Sequence, residues 1–92
     1  MYVYILKSIV SPKRHYIGRS RNPNQRLTEH NAGKSMHTSK YRPWKIIGCT
    51  WFANDTQACE FEHYLKSGSG RAFAKRHFQY PQQNNPPFTL SY

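Results

Sequence analysis

Residues 2–33, YVYILKSIVSPKRHYIGRSRNPNQRLTEHNAG, decide the fold. Tyr2–Lys7 alternates two apolar or aromatic faces and reads as a strand, and His15–Arg19 reads as a second. A loop with Ser11 and Pro12 separates them, so the two are expected to pair as an antiparallel hairpin. A loop centred near Val10 sets Tyr4 beside Tyr16 across the ladder, with both phenols on one face. Asn22 followed by Pro23 is a helix start, because Asn caps free amides and Pro loses nothing at the first helical position. Gly33 is the matching stop, and the helix between them puts Arg26 and His30 one turn apart on the same side.

Outward from this stretch, Lys34–Pro43 is a polar, basic loop. Trp44–Ala53 (WKIIGCTWFA) is dense in β-branched and aromatic residues and reads as a third, central strand. Asn54 or Asp55 caps a second helix running to about Lys66. Ser67–Gly70 (SGSG) breaks it, and Arg71–Phe78 reads as a short third helix with Phe73 and Phe78 turned inward. The expected fold is α+β: a small three-stranded antiparallel sheet flanked by helices, in the order β-β-α-β-α-α. Residues 79–92 (QYPQQNNPPFTLSY) carry no charge and three prolines, which predicts an irregular Pro/Gln/Asn-rich tail after a single domain of residues 1–78.

Fourteen Lys and Arg face four acids, Glu29, Asp55, Glu60 and Glu62, for a net charge of +10. With the tail uncharged, the whole excess lies on the first 78 residues, the footprint of a polyanion partner. DNA is the expected partner, and charge alone does not exclude RNA. A membrane reading wants a basic amphipathic helix or a long apolar run, and no apolar stretch comes near the ~18 residues needed to span. Two cysteines, Cys49 and Cys59, make a poor disulfide framework, and no signal peptide opens the chain, so a cytoplasmic protein is expected. There is no phosphate loop of the Walker type, hence no expectation of ATP use, and no nucleophile elbow or H-E-x-x-H pair. Cys59 and His63 do not complete a zinc pattern with Cys49 or His77.

Several residues carry two readings. On the second helix Ala58, Phe61 and Leu65 form the apolar stripe, and Glu62 lies at its edge while Glu60 points away. Glu62 is therefore either a boundary carboxylate paired with a Lys or Arg, or a ligand to a hard divalent ion such as Mg²⁺ or Mn²⁺, which needs only one or two carboxylates beside phosphate and water. Tyr4 and Tyr16 are strand aromatics or phenols that orient or deprotonate water, ionising more readily beside a metal and several cations. Arg26 is a solvated helix cation or a fork for phosphate oxygens, and His30 a surface histidine or a proton-handling partner. Gly18 is a turn glycine or a gap through which a nucleic-acid backbone approaches the tyrosines. Gly68 and Gly70 are a helix break or the start of an anion-binding helix end.

YVY at 2–4, YIG at 16–18, the Arg26/His30 pair and a helical Glu62 stand in the order of the GIY-YIG nucleases. HYIGRSRNPNQRLTEHNAGK and CEFEHYLKSGSGRAFAKRHF resemble small stand-alone bacterial members of that family, relatives in fold of the amino-terminal nuclease domain of the excinuclease C subunit. The resemblance covers about residues 2–78, with Tyr2 and Val3 standing where glycine and isoleucine name the family. It implies an endonuclease that hydrolyses DNA phosphodiesters with one Mg²⁺ or Mn²⁺, weakly sequence-specific and structure-selective, in repair or recombination. By position it implies catalytic Tyr4, Tyr16, Arg26, His30 and Glu62, with Glu62 the metal ligand. Ser67 or Ser69 stands in for a polar residue that family members carry after the acid. Lys40, Arg42, Lys45, Lys66, Arg71, Lys75 and Arg76 are the expected backbone contacts beside Gly18. The alternative is a non-catalytic nucleic-acid-binding module on the same scaffold. Cutting both strands from one site calls for a protein partner, a homodimer or two successive nicks.

Overall fold

The computed structural model describes residues 1–78 and 88–91. Strand β1 (Tyr2–Ser8) pairs antiparallel with β2 (His15–Ser20) on one side and β3 (Trp44–Trp51) on the other. Helix α1 (Pro23–Asn31) follows β2, and a single 3-10 turn (Ser39–Tyr41) precedes β3. Helices α2 (Asp55–Leu65) and α3 (Gly68–His77) come after it. These elements reproduce the expected α+β class and chain order.

A fourth strand, β4 (Phe88–Ser91), runs parallel to β3 on its outer edge, giving the sheet order β2-β1-β3-β4. The irregular reading of 79–92 is corrected over these four residues, whose Phe-Thr-Leu sequence is β-prone and meets an edge with free backbone groups. The rest of that segment lies outside the described residues. Among the three antiparallel strands β1, not β3, is central, and β3 becomes internal only through β4.

Alternation along β1 sorts two cores onto the two faces of the sheet. Val3 and Ile5 join Ile47, Ala58, Leu65, Ala74 and Phe78 under α2 and α3. Tyr4 and Leu6 join Trp44 and Cys49, with Tyr16 and Leu27 packed against them on the α1 side. The β1–β3 ladder shifts between Ile5 and Leu6, where Gly48 and Ile46 are the successive partners and Ile47 is the extra residue. That bulge resets parity, so Trp44, Ile46 and Cys49 share the α1 face while Ile47 drops to the other.

Local chemistry sets the helix ends. The Asn22 side chain accepts from the Gln25 amide, and that of Asn54 accepts from the Thr56 and Gln57 amides. The Ser67 side chain accepts from the Gly70 amide, so α3 begins at Gly68 rather than Arg71 and both glycines lie inside its first turn. A Cβ on Gly70 would stand 1.7 Å from the Tyr64 carbonyl oxygen, so this glycine is what allows α3 to turn back against the end of α2. A Cβ on Gly68 meets nothing within 4 Å. Gly70→Ala should therefore destabilise the fold by about 1–3 kcal/mol, as overpacking does, whereas Gly68→Ala should be neutral or stabilising by up to ~1 kcal/mol through helix propensity. Thermal melts of the two variants check this contrast.

Candidate active site

Tyr4 is 1% exposed, and its hydroxyl is the point on which the site is built. The Tyr4 hydroxyl and His30 Nε2 are hydrogen-bonded at 3.1 Å. The Tyr16 ring stands 6.3 Å from the Tyr4 ring and 4.8 Å from that of His30, centroid to centroid. The expected hairpin register is off by two: Tyr4 opposes Gly18, and Tyr16 opposes Leu6. The turn is centred further along because the Ser8 amide donates to the Arg14 carbonyl and the Ser11 amide to the Ser8 hydroxyl. A shift of two keeps the face, so the phenols still meet, diagonally rather than directly across.

Gly18 is buried, and a Cβ there would stand 2.7 Å from the Tyr4 hydroxyl oxygen and 2.9 Å from the Tyr16 ring. The space its missing side chain leaves is filled by the two tyrosines. Packing alone thus requires a glycine here, and Gly18 lies within β2 rather than in a turn.

From α1, His30 is fully buried and Arg26, one turn earlier, stays partly exposed. The surface reading of His30 fails because its ring occupies the gap between α1 and the two tyrosines. Burial, and then the Arg26 charge, push the His30 pKa below its ordinary value, so the imidazole is neutral at pH 7. Burial also raises the Tyr4 pKa, partly offset by a hydrogen bond from Arg26, with the charges of Tyr16 and Glu62 adding to the rise. In the protein alone desolvation at Tyr4 outweighs the Arg26 cation, whereas the expectation of an easily ionised phenol concerns a site that also holds a metal. Arg26 donates to Glu29, and that bond first, then the neighbouring Tyr4, raises its own pKa.

Glu62 comes from α2. Its Oε1 accepts from Arg19 Nε, and its Oε2 accepts from Lys66 Nζ at 3.0 Å. Arg19 lies two residues beyond Ile17, which packs on the α2 and α3 face, so it leaves β2 on that side. Tyr4, Tyr16, His30 and Arg26 gather on the α1 side, and the candidate site thus straddles the edge strand β2. Both readings of Glu62 meet here: it is an ion-paired boundary carboxylate, and it is close enough to Tyr4 to affect its ionisation.

Among the described residues no group of three or more His, Cys, Asp and Glu could hold a metal. Glu29 and Asp55 are paired with Arg26 and Arg21, and Glu60 is exposed. The donors suit only a hard ion that takes one carboxylate oxygen and otherwise water and phosphate, and such an ion would have to share Glu62 with Arg19 and Lys66. Cys49, whose thiol burial pushes up to about 11, is no thiolate ligand.

The expected backbone contacts divide. Lys66, Arg71 and Lys75 line a groove of about 660 Å³ with Lys13, Arg14, His15 and Tyr16, over a floor of Ile17, Leu65 and Ala74. No acid lines it. Lys40, Arg42, Lys45 and Arg76 are exposed but do not line it. The Arg42 guanidinium lies where a Cβ of Gly33 would be, at the carboxyl end of α1, and the Lys40 ammonium sits over the Tyr41 ring. Gly70 gives its amide to Ser67, and the Ser67 hydroxyl donates to the Tyr64 carbonyl, which removes both from anion binding.

Sequence reasoning missed Arg19, Lys13, Arg14, Thr38 and Asn31. Thr38 Oγ1 lies 2.7 Å from His30 Nδ1. The Asn31 side chain accepts from the Trp44 amide and donates to the Trp44 carbonyl, clamping the end of α1 to the start of β3. The only sequence signal for Thr38 was the polarity of the 34–43 loop, and Asn31, the last residue of α1, had none.

This is an α+β domain with a tyrosine-centred polar site at a sheet edge, and the GIY-YIG catalytic domain model matches residues 1–80. The chain belongs to the GIY-YIG family. It is similar to the structure-specific endonuclease subunit SLX1 of Debaryomyces hansenii, 34% identical over 96% of this chain and 28% of that protein. It is similar also to the protein of the same name in Podospora anserina, 35% identical over 97% and 30%. The one in Candida dubliniensis is 39% identical over 82% and 27%. These relatives are eukaryotic, where the sequence pointed to a bacterial type, and the chain spans about three tenths of their length. No solved structure matches. No helix of the described residues is long and apolar enough to cross a membrane.

Depressed pKa values at His30 and His15, the latter also caused chiefly by burial, predict acid sensitivity. Below about pH 6.5 the unfolded chain binds protons that the folded one resists, so stability falls as pH drops from 7 to 5. His30→Gln should flatten that fall in melts recorded across the range, even though it lowers stability at pH 7.

Proposed function

We propose that this domain is a divalent-metal-dependent endonuclease that cuts one DNA strand at a time, selecting substrate by structure rather than by sequence. The observation that carries the reading is the convergence on Tyr4 of four groups from three further elements. His30 is hydrogen-bonded to its hydroxyl, the Tyr16 ring lies beside it, and the Arg26 and Glu62 charges reach it. Family membership and the relatives' names as structure-specific endonuclease subunits support the same reading.

Glu62 would hold Mg²⁺ or Mn²⁺. Such an ion, when bound, neutralises charge on the scissile phosphate and lowers the pKa of a bound water. Tyr16, half-buried and lining the groove, is the phenol that meets an attacking water, while the buried Tyr4 orients it. Arg26, with part of its guanidinium exposed, gives hydrogen bonds to phosphate oxygens as charge builds up on them. His30 fixes the Tyr4 hydroxyl. Arg19 and Lys66 already neutralise Glu62 and stand ready for a phosphate beside it.

The groove of Lys13, Arg14, Lys66, Arg71 and Lys75 is the track for the DNA backbone, reaching the centre at Tyr16. Its cations address phosphates and present no element to base edges, which is why sequence reading is not expected. Lys40, Arg42, Lys45 and Arg76 would add weaker, outlying contacts. The relatives are named as subunits, so a protein partner is part of the proposal.

Cleavage of plasmid, duplex, flap and branched DNA with Mg²⁺ or Mn²⁺ tests the reading, with Glu62→Ala alongside. Branched or flap DNA should be nicked by the wild type and not by the variant, and both should bind it. Arg26→Ala should lose about a hundredfold or more in rate. Binding without cleavage on every substrate would establish the non-catalytic module instead. Replacing Lys13, Arg14, Arg71 and Lys75 with Gln should reduce the logarithmic salt slope of duplex binding by about 0.9 for each phosphate that is no longer neutralised. Changing Lys40, Lys45 and Arg76 together should move it less.

A further inference from the structure

Thr38 is fully buried, and its hydroxyl faces His30 Nδ1 at 2.7 Å, while His30 Nε2 faces the Tyr4 hydroxyl at 3.1 Å. A neutral imidazole has one N–H and one bare nitrogen, so the three groups can be joined in only two ways. If His30 Nδ1 carries the hydrogen, the Thr38 hydroxyl hydrogen has no acceptor among the described residues and is stranded in a dry site. If Nδ1 is bare, Thr38 donates to it, and Nε2–H donates to the Tyr4 oxygen. The hydrogen left over is then that of Tyr4, whose hydroxyl faces Gly18 and Tyr16 in the candidate site, rather than that of the fully enclosed Thr38. The Tyr4 oxygen then accepts from His30, with the Arg26 charge acting on it, and its own hydrogen is free to point elsewhere.

We infer that Thr38 is a positioning residue that locks His30 in the Nε2–H tautomer, making Tyr4 a donor into the active site rather than a donor to His30. Resting on the nuclease reading above, this gives Tyr4 its part: its hydrogen is directed to the water or phosphate oxygen that lies between it and Tyr16.

The rest of the loop is arranged to hold that one hydroxyl. The Thr38 carbonyl accepts from the Trp44 indole at 2.8 Å, and the Thr38 amide donates to the Ser35 carbonyl. The Asn31 clamp fixes Trp44 against the end of the helix that carries His30. Thr38 and His30 thus hang from the same two anchors, Trp44 and Asn31, which set their spacing.

The test is the tautomer itself. Long-range ¹H–¹⁵N correlation on protein labelled in its histidine rings, without DNA or metal, distinguishes a bare from a protonated nitrogen at each position. His30 is assigned by its loss in His30→Gln. A bare Nδ1 and a protonated Nε2 are expected at pH 7.5, and the reverse pattern overturns the inference. Thr38→Val, close in shape, should abolish the single tautomer, and Thr38→Ser should keep it. In cleavage assays Thr38→Val should lower kcat about tenfold or more, with KM little changed, and Thr38→Ser should restore most of it. A normal kcat in a folded Thr38→Val protein overturns the catalytic part. If Thr38→Val does not fold, the wild-type spectrum and Thr38→Ser decide. A wild-type protein that cuts no substrate yet shows the expected tautomer refutes the nuclease reading and leaves the positioning intact.

Discussion

The hydrogen bond between the Tyr4 hydroxyl and His30 is the contact around which the rest is arranged. It closes a dry space between the sheet and α1, where a phenol and an imidazole are each almost wholly removed from water. Polar groups buried that far must be paired or the fold loses the cost of their desolvation. Gly18 leaves the room, the Asn22 cap and Pro23 start α1 where His30 can reach, and the Asn31 clamp ties the end of α1 to Trp44. Satisfying two hydroxyls and one imidazole therefore fixes the position of α1 more tightly than the sparse apolar contact of Leu27 could.

Much of this architecture was legible in the sequence because it rests on local chemistry. Alternation marked the strands, and two Asn caps marked the starts of α1 and α2, since a cap acts within three residues of itself. What escaped depends on groups further apart. The hairpin register turned on the Ser8 hydroxyl and the Arg14 carbonyl, which set the turn. The start of α3 turned on the close approach of Gly70 to Tyr64, invisible when SGSG is read as a breaker. β4 is short, follows two prolines, and is a strand only because β3 offers it an edge.

The site divides in the same way. Arg26 and His30 could be placed together because four residues on a helix are one turn, and Glu62 could be set at the margin of a stripe for the same reason. That His30 is buried, that Gly18 is filled by phenols and that Glu62 holds two cations follow from the meeting of separate elements. Arg19 and Thr38 sit in stretches whose local pattern says only strand and polar loop. Their chemistry is conferred by the partner across the fold.

The charge pattern has a structural cause as well as a bearing on DNA. A four-stranded sheet has two edges, and each exposes backbone groups able to pair with another chain. Here β4 covers the outer edge of β3, while the β2 side carries Arg14 and Lys13 before the strand and Arg19 within it. Charged side chains along an edge discourage a second strand from docking there. On the proposed reading these cations, with those of α2 and α3, are what a phosphate backbone needs beside Tyr16. The protection of an edge strand and the attraction of a polyanion demand the same residues at the same place, so the site lies at the β2 edge rather than at that of β4.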